Sequence, residues 1–154
     1  MLIKRGANLG ILLLVLFLLV GCTGVGPTDP DEILIHAIAD SIKTAIEDKD
    51  VDMFMTNVSL DYSDSAGGTY DSIYVMAQNI VSEIEAAESS YGVNLTINSS
   101  ISNLIVMDST ANSDLKLTIS AKFLFITVYS DDRTFEVIYQ KEDTSWKIIS
   151  MVEI

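Results

Sequence analysis

Tyr91-Gly92-Val93-Asn94-Leu95-Thr96-Ile97-Asn98 is where the chain changes its hydrophobic period. Upstream, Ile73, Met76, Ala77, Ile80, Val81, Ile84 and Ala87 recur at three- to four-residue spacing, one face of a long helix that Thr69 can cap. Downstream the period is two. Val93, Leu95, Ile97, Ile101, Ile105 and Met107 share one side of a long strand, with Asn94, Thr96, Asn98, Ser100 and Ser102 opposite. The next strand places Leu115, Leu117, Ile119, Ala121, Phe123 and Phe125 on one side. Its later part adds Leu124, Ile126 and Val128 on the other, as expected of a strand that is central or covered on both faces. Asp131-Asp132 offers turn chemistry leading into Phe135, Val137 and Tyr139. Asp143-Thr144 offers it again before Trp146, Ile148, Ser150, Val152 and Ile154.

Working back toward the N-terminus, Asp29 or Asp31 can cap a first helix, with Pro30 in its first turn and Glu32 at the positive end of the dipole. Leu34, Ala37, Ile38, Ser41, Ile42, Ala45 and Ile46 form its expected apolar face. Glu32, His36, Asp40, Lys43 and Glu47 fall opposite. The acidic turn Asp48-Lys49-Asp50 leads to a short helix through Val51, Met53, Phe54 and Met55, then to the loop from Asp61 to Gly68. Helices followed by strands joined through short turns define an α+β domain with an antiparallel meander. Residues 31–154 have the size of one domain, without internal repeats.

Two stretches resemble a known family. Ala45-Ile-Glu-Asp-Lys-Asp-Val-Asp-Met-Phe-Met55 followed by Tyr62 resembles the helix, acidic turn and short helix of the NTF2-like (cystatin-like cone, SnoaL-like) superfamily. Phe135-Glu-Val-Ile-Tyr-Gln-Lys-Glu-Asp-Thr-Ser-Trp-Lys-Ile-Ile149 resembles its closing hairpin, with Ser145 where a glycine is usual. The resemblance implies N-terminal helices packed on a curved antiparallel sheet, a pocket at the open end of the cone, and a homodimer through the sheet in many relatives. Members include isomerases, dehydratases and non-catalytic modules, so the fold alone does not carry a function.

The N-terminus has its own logic. Lys4 and Arg5 are the only charges before Asp29, and an apolar run from Leu9 to Val20 follows. Twelve residues fall short of the roughly 20 that span a bilayer as a helix, so residues 1–21 are expected to be a secretory signal. Leu19-Val20-Gly21-Cys22 resembles the lipobox of prokaryotic lipoproteins. The resemblance implies cleavage before Cys22, diacylglyceryl attachment to its thiol, and an extracytoplasmic domain held to the cell membrane or outer membrane. Residues 22–30, with both prolines of the chain, are expected to be the lipidated tether. Thr23 lacks the inner-membrane retention signal that an aspartate there would suggest. Cys22 is the only cysteine, so no internal disulfide can form. Removal of Lys4 and Arg5 leaves seven basic against 22 acidic side chains, net −15. Such a surface repels phosphate backbones and anionic headgroups, which argues against nucleic acid as a partner and against a second, electrostatic membrane contact.

Candidates for chemistry are few. Asp61, Tyr62, Asp64, Tyr70 and Asp71 gather around Gly67-Gly68, where the mouth of a cone would lie. They read either as a solubilising loop with Asx turns or as acid–base groups of a pocket. A steroid-isomerase-like pair cannot be assigned to particular residues. An EF-hand count from Asp61 fails, since Ala66 and Ser72 stand where the central glycine and the twelfth-position glutamate belong. His36, the only histidine, falls on the polar helix face. No zinc ligand set, phosphate loop or nucleophile elbow occurs, and no cofactor or metal is expected. Sequons stand at Asn57, Asn94 and Asn98. The expectation is a membrane-anchored, non-catalytic binding or protein-interaction domain, whose partners are membrane lipid through acylated Cys22 and either a second copy or an envelope protein. The alternative is a small-molecule isomerase- or dehydratase-like enzyme using Asp and Tyr.

Overall fold

The computed structural model describes residues 29–154; the expected signal segment, Cys22 and the expected tether as far as Thr28 lie outside them. Helix α1 runs Pro30–Asp48, α2 Val51–Met55 and α3 Tyr70–Tyr91. Strands β1 (Asn94–Met107), β2 (Thr110–Phe123), β3 (Ile126–Glu142) and β4 (Ser145–Glu153) follow. The strands form one antiparallel sheet in the order β1-β2-β3-β4. This is the α+β architecture expected, helices on one face of a meander. Among the described residues no helix is long and apolar enough to cross a membrane.

The caps are local. Asp29 accepts the Asp31 N–H at 2.8 Å and Asp50 that of Met53 at 2.8 Å, while Thr69 and Ser72 form a reciprocal capping box on α3. With Asp29 as the cap, the Asp31 carboxylate is released for a tertiary role. It accepts from Lys141 Nζ at 2.7 and 2.9 Å and from Trp146 Nε1 at 2.9 Å, fastening α1 to the β3–β4 hairpin. That contact sets the phase of the helix. Positions in step with Asp31, namely Ile35, Ile38, Ile42 and Ala45, are buried together with Ala39, whereas Leu34 and Ala37 of the expected apolar face turn outward. On α3 only Ile73 and Ala77 are fully buried, and Met76 and Ile80 remain well exposed.

Bulges correct the strand pattern at three places. Asn103, with φ +53°, sits where the β1–β2 register shifts, so Leu104 and Val106 replace Ile105 and Met107 on the helix-covered face. A shift between Ile138 and Tyr139 in the β3–β4 pairing leaves Ile149 unpaired. Met151 therefore points inward, and Ser150 and Val152 face away. The third shift, at Ala121/Lys122, lies beside the largest correction. The chain does not turn at Asp131-Asp132 but at Leu124-Phe125, with Leu124 at φ +55°. Asp131 and Asp132 run through mid-strand because each has a local partner. Asp131 accepts from Arg133 Nε at 3.1 Å; Asp132 meets Lys116 Nζ at 2.7 Å and Thr118 Oγ1 at 2.7 Å across the ladder.

The core fills the space between α1 and the sheet with Ile35, Ile42, Ile97, Leu115, Val137 and Ile148, all essentially inaccessible. The outer edge of β4 is not left open. Ile148 N–H donates to the Asn57 carbonyl at 2.8 Å, and Ser59 and Ser63 N–H groups donate to Ile148 and Ile149 carbonyls at 2.9 Å each. The segment after α2 is thereby stitched along the edge strand.

Candidate functional site

That stitched segment carries the residues expected to matter. Tyr62 is carried over the edge of β4 by the Ser59 and Ser63 hydrogen bonds, and its side chain is 3% exposed. Its hydroxyl accepts the Met151 N–H at 3.2 Å and donates its proton to Asp64 Oδ2 at 2.9 Å, with the Met151 carbonyl also in contact at 3.1 Å. A hydroxyl has one proton, and the charged carboxylate is the stronger acceptor. The other oxygen, Asp64 Oδ1, accepts from the backbone of Ala66 and of Gly68 at 2.8 Å each. Gly68 is required by contact: a Cβ there would stand 2.2 Å from Asp64 Oδ2. Gly67 is required by conformation, at φ +86° in open space.

The electrostatics follow. Burial pushes the Tyr62 phenol above its ordinary value, and the neighbouring Asp64 carboxylate raises it further. The Gly68 N–H, then the Tyr62 hydroxyl, hold Asp64 below the usual carboxylate range. Tyr62 is a protonated phenol whose proton is already donated, and Asp64 is a carboxylate with both oxygens engaged. Together they form a latch between the loop and β4.

Of the remaining candidates, Asp61 is exposed, with its backbone N–H on Ser59 Oγ at 3.0 Å. Tyr70 is half-buried against the core at the start of α3, and Asp71 is exposed in the first turn. Tyr62 and Asp64 are therefore brought together, while Asp61 and Asp71 point to solvent. His36 is half-buried on α1. Asn57 is buried, its side-chain amide donating to Ser41 Oγ at 3.0 Å and to the carbonyls of Met53 and Phe54, which closes that sequon to modification in the folded chain.

An apolar cleft of about 40 Å³ opens elsewhere, between the three helices, lined by Ala45, Ile46, Phe54, Met76 and Ile80. That is room for a few waters and not for a substrate. The one carboxylate on its wall, Asp50, is spent on capping α2. Two polar clusters escaped sequence reasoning. One is the Asp31–Lys141–Trp146 clamp, in which Lys141 also lies 5.6 Å from the Trp146 ring centre. The other joins Arg133 to Asp131 at 3.1 Å and to Glu153 at 3.3 Å on the helix-covered face of the sheet. Locating the β2–β3 turn correctly would have put Arg133 and Asp131 on that face by alternation alone. Among the described residues no group of three His, Cys, Asp or Glu side chains is placed to hold a metal ion.

The arrangement of helices over a four-stranded meander recurs in solved structures. An NTF2-like protein with a cystatin-like fold from Novosphingobium aromaticivorans aligns over 96% of this chain and 90% of its own, with TM-score 0.64 at 11% identity. The fold is NTF2-like. Aln2 from a Streptomyces species shares it over 82% of this chain and 91% of its own, with TM-score 0.65 at 10% identity. Bd1075 of Bdellovibrio bacteriovorus shares it over 79% of this chain, with TM-score 0.60 at 13% identity, and the chain spans 39% of that larger protein. No family model and no curated protein matches the sequence. At such identities the likeness to these NTF2-like structures carries the fold and nothing of activity.

Proposed function

We propose that the chain is a lipid-anchored, extracytoplasmic NTF2-like domain that works as a non-catalytic binding module. Acylated Cys22 holds it to the membrane, and envelope proteins or a second copy are its partners. One observation carries the binding half of this reading. The best acid–base pair among the described residues, Tyr62 with Asp64, is closed on itself and on the backbone of Ala66, Gly68 and Met151, so the phenol proton is already donated and both carboxylate oxygens already hold donors of the chain itself. Self-association has its own support on the open face of the sheet. There Ile105 and Ile138 stand exposed on either side of Asn112. The anchor rests on the pattern Leu19-Val20-Gly21-Cys22 at the end of a twelve-residue apolar run.

Intact mass of the membrane-extracted protein tests the anchor. The expected species begins at Cys22 and carries a diacylglyceryl group; an unmodified thiol or a retained Met1 overturns it. Crosslinking in the native envelope tests the module: a discrete adduct is expected with wild type and, once folding is verified, with Asp64→Asn. Turnover of a small molecule that Asp64→Asn abolishes without unfolding the domain would instead establish an enzyme.

A further inference from the structure

The β2–β3 turn is the most exposed apolar element of the described chain. Phe125 is 99% exposed, Leu124 73%, Ile126 69% and Phe123 48%, with Val128 and Tyr129 also open on the same hairpin. Turn formation does not call for these residues. Of the two turn residues only Leu124 lies at positive φ, +55°, a conformation that Gly, Asn or Asp adopts more readily than a branched aliphatic side chain. Apolar side chains at the apex thus serve something outside the chain.

Charge indicates what that is. The mature chain is net −15, yet no acidic residue occurs between Asp114 and Asp131, where Lys116 and Lys122 are the only charges. The strand beside the tip is equally bare, since Ser89 to Met107 carries no charged residue at all. The hairpin tip itself therefore brings no carboxylate against an anionic surface, and Glu88, at the C-terminal end of α3 on this side of the sheet, is paired with Lys49 at 2.8 Å. The make-up of the tip, aliphatic and Phe side chains at the apex with Tyr129 behind, suits an interface that is apolar inside and wet at its rim.

We propose that the Phe123–Ile126 tip is a second membrane contact, inserted into the bilayer that holds Cys22. The proposal rests on the anchored reading for the identity of that bilayer. Geometry then fixes the posture. The chain enters the domain at Asp29, beside the β3–β4 hairpin that Asp31 grips, and the tip lies at the other end of β3, 17 residues away. Cys22 to Asp29 extends at most ~25 Å, so both contacts can be made only with the long axis of the domain inclined along the surface. The contact is apolar, and the overall negative charge that excludes electrostatic adhesion does not exclude it.

The test uses full-length protein extracted from membranes and reconstituted into phosphatidylcholine–phosphatidylglycerol vesicles with brominated acyl chains. Phe125→Trp places a reporter at the tip and Asp143→Trp one at the opposite turn, over the constant background of buried Trp146. Emission from Phe125→Trp should be quenched several-fold more than that from Asp143→Trp. Equal quenching, or none at the tip in protein that floats with the vesicles, overturns the proposal and leaves a protein partner as the occupant. If intact mass shows Cys22 unmodified, the anchor fails separately, and the soluble full chain is mixed with preformed vesicles. Cosedimentation that Leu124→Asn/Phe125→Gly reduces about a hundredfold sustains the tip contact; no cosedimentation of wild type overturns it. That double variant keeps turn-forming residues, so it tests the apolar side chains and not the hairpin.

Discussion

Replacing Tyr62 with phenylalanine separates a structural latch from a catalytic acid. The ring keeps its place in the core, and only the hydroxyl is lost. Two interactions go with it: the Met151 N–H at 3.2 Å loses its acceptor, and Asp64 Oδ2 loses a charge-assisted donor at 2.9 Å. An orphaned, poorly hydrated N–H costs about 1–3 kcal/mol, whereas the half-exposed carboxylate keeps Ala66 and Gly68 and can recruit water. The expected destabilisation is therefore about 2 kcal/mol, a fall in Tm of roughly 6–10 °C for a domain of this length. Urea unfolding followed by far-UV circular dichroism and Trp146 emission measures it, and the slope should not change. The pH profile adds a signature. Because the folded-state pKa of Tyr62 is raised, its contribution is complete below the unfolded phenol value near 10 and is lost as pH climbs above it. Tyr62→Phe should lack that alkaline loss. A variant within about 0.5 kcal/mol of wild type, with an unchanged alkaline limb, would refute the latch.

Three further outcomes follow from the same geometry. Gly68→Ala drives a methyl into Asp64 Oδ2, so the loop must open, at a cost of about 1–3 kcal/mol in the same urea assay; a neutral result contradicts the close approach. Leu124→Asn relieves a left-handed leucine, and thermal melting should show a gain of about 1 kcal/mol; a loss would mean that the Leu124 side chain packs on its own domain. Asp31, Asp64, Glu88 and Asp132 are all held below the ordinary carboxylate range by their hydrogen-bond donors. Their contribution is present above the unfolded-state values near 4 and is lost as pH falls through the lower folded values. Stability should decline below about pH 4, and less steeply in Asp31→Asn/Asp64→Asn, as read from melting temperature against pH.

Much of the fold was legible because periodicity and turn chemistry are local. The switch at Gly92 separates α3 from the sheet, Thr69 caps α3 as its position suggests, and Asp143 makes the closing turn at φ +54°. The β2–β3 turn was not legible, since its residues carry apolar side chains in place of turn formers, while the two aspartates that look like a turn are stabilised in mid-strand by Lys116, Thr118 and Arg133. Side-chain facing failed wherever a bulge intervened, at Asn103 and at Ile149, because one extra residue reverses every later position and leaves no mark in composition.

Within the candidate site, proximity in sequence was enough to single out Tyr62, Asp64 and the two glycines. It could not show that Tyr62 turns toward Met151, 89 residues later, and so spends its proton in holding the loop down. By itself the sequence determined what one element or a short spacing can determine: an α+β order, a lone cysteine behind an apolar run, an acidic body and a polar loop. Only tertiary structure decided which groups are consumed by one another and which are left free. A hydrogen bond or a buried stripe depends on the phase between elements, and that phase is set by contacts such as Asp31 on Trp146, made between residues far apart along the chain.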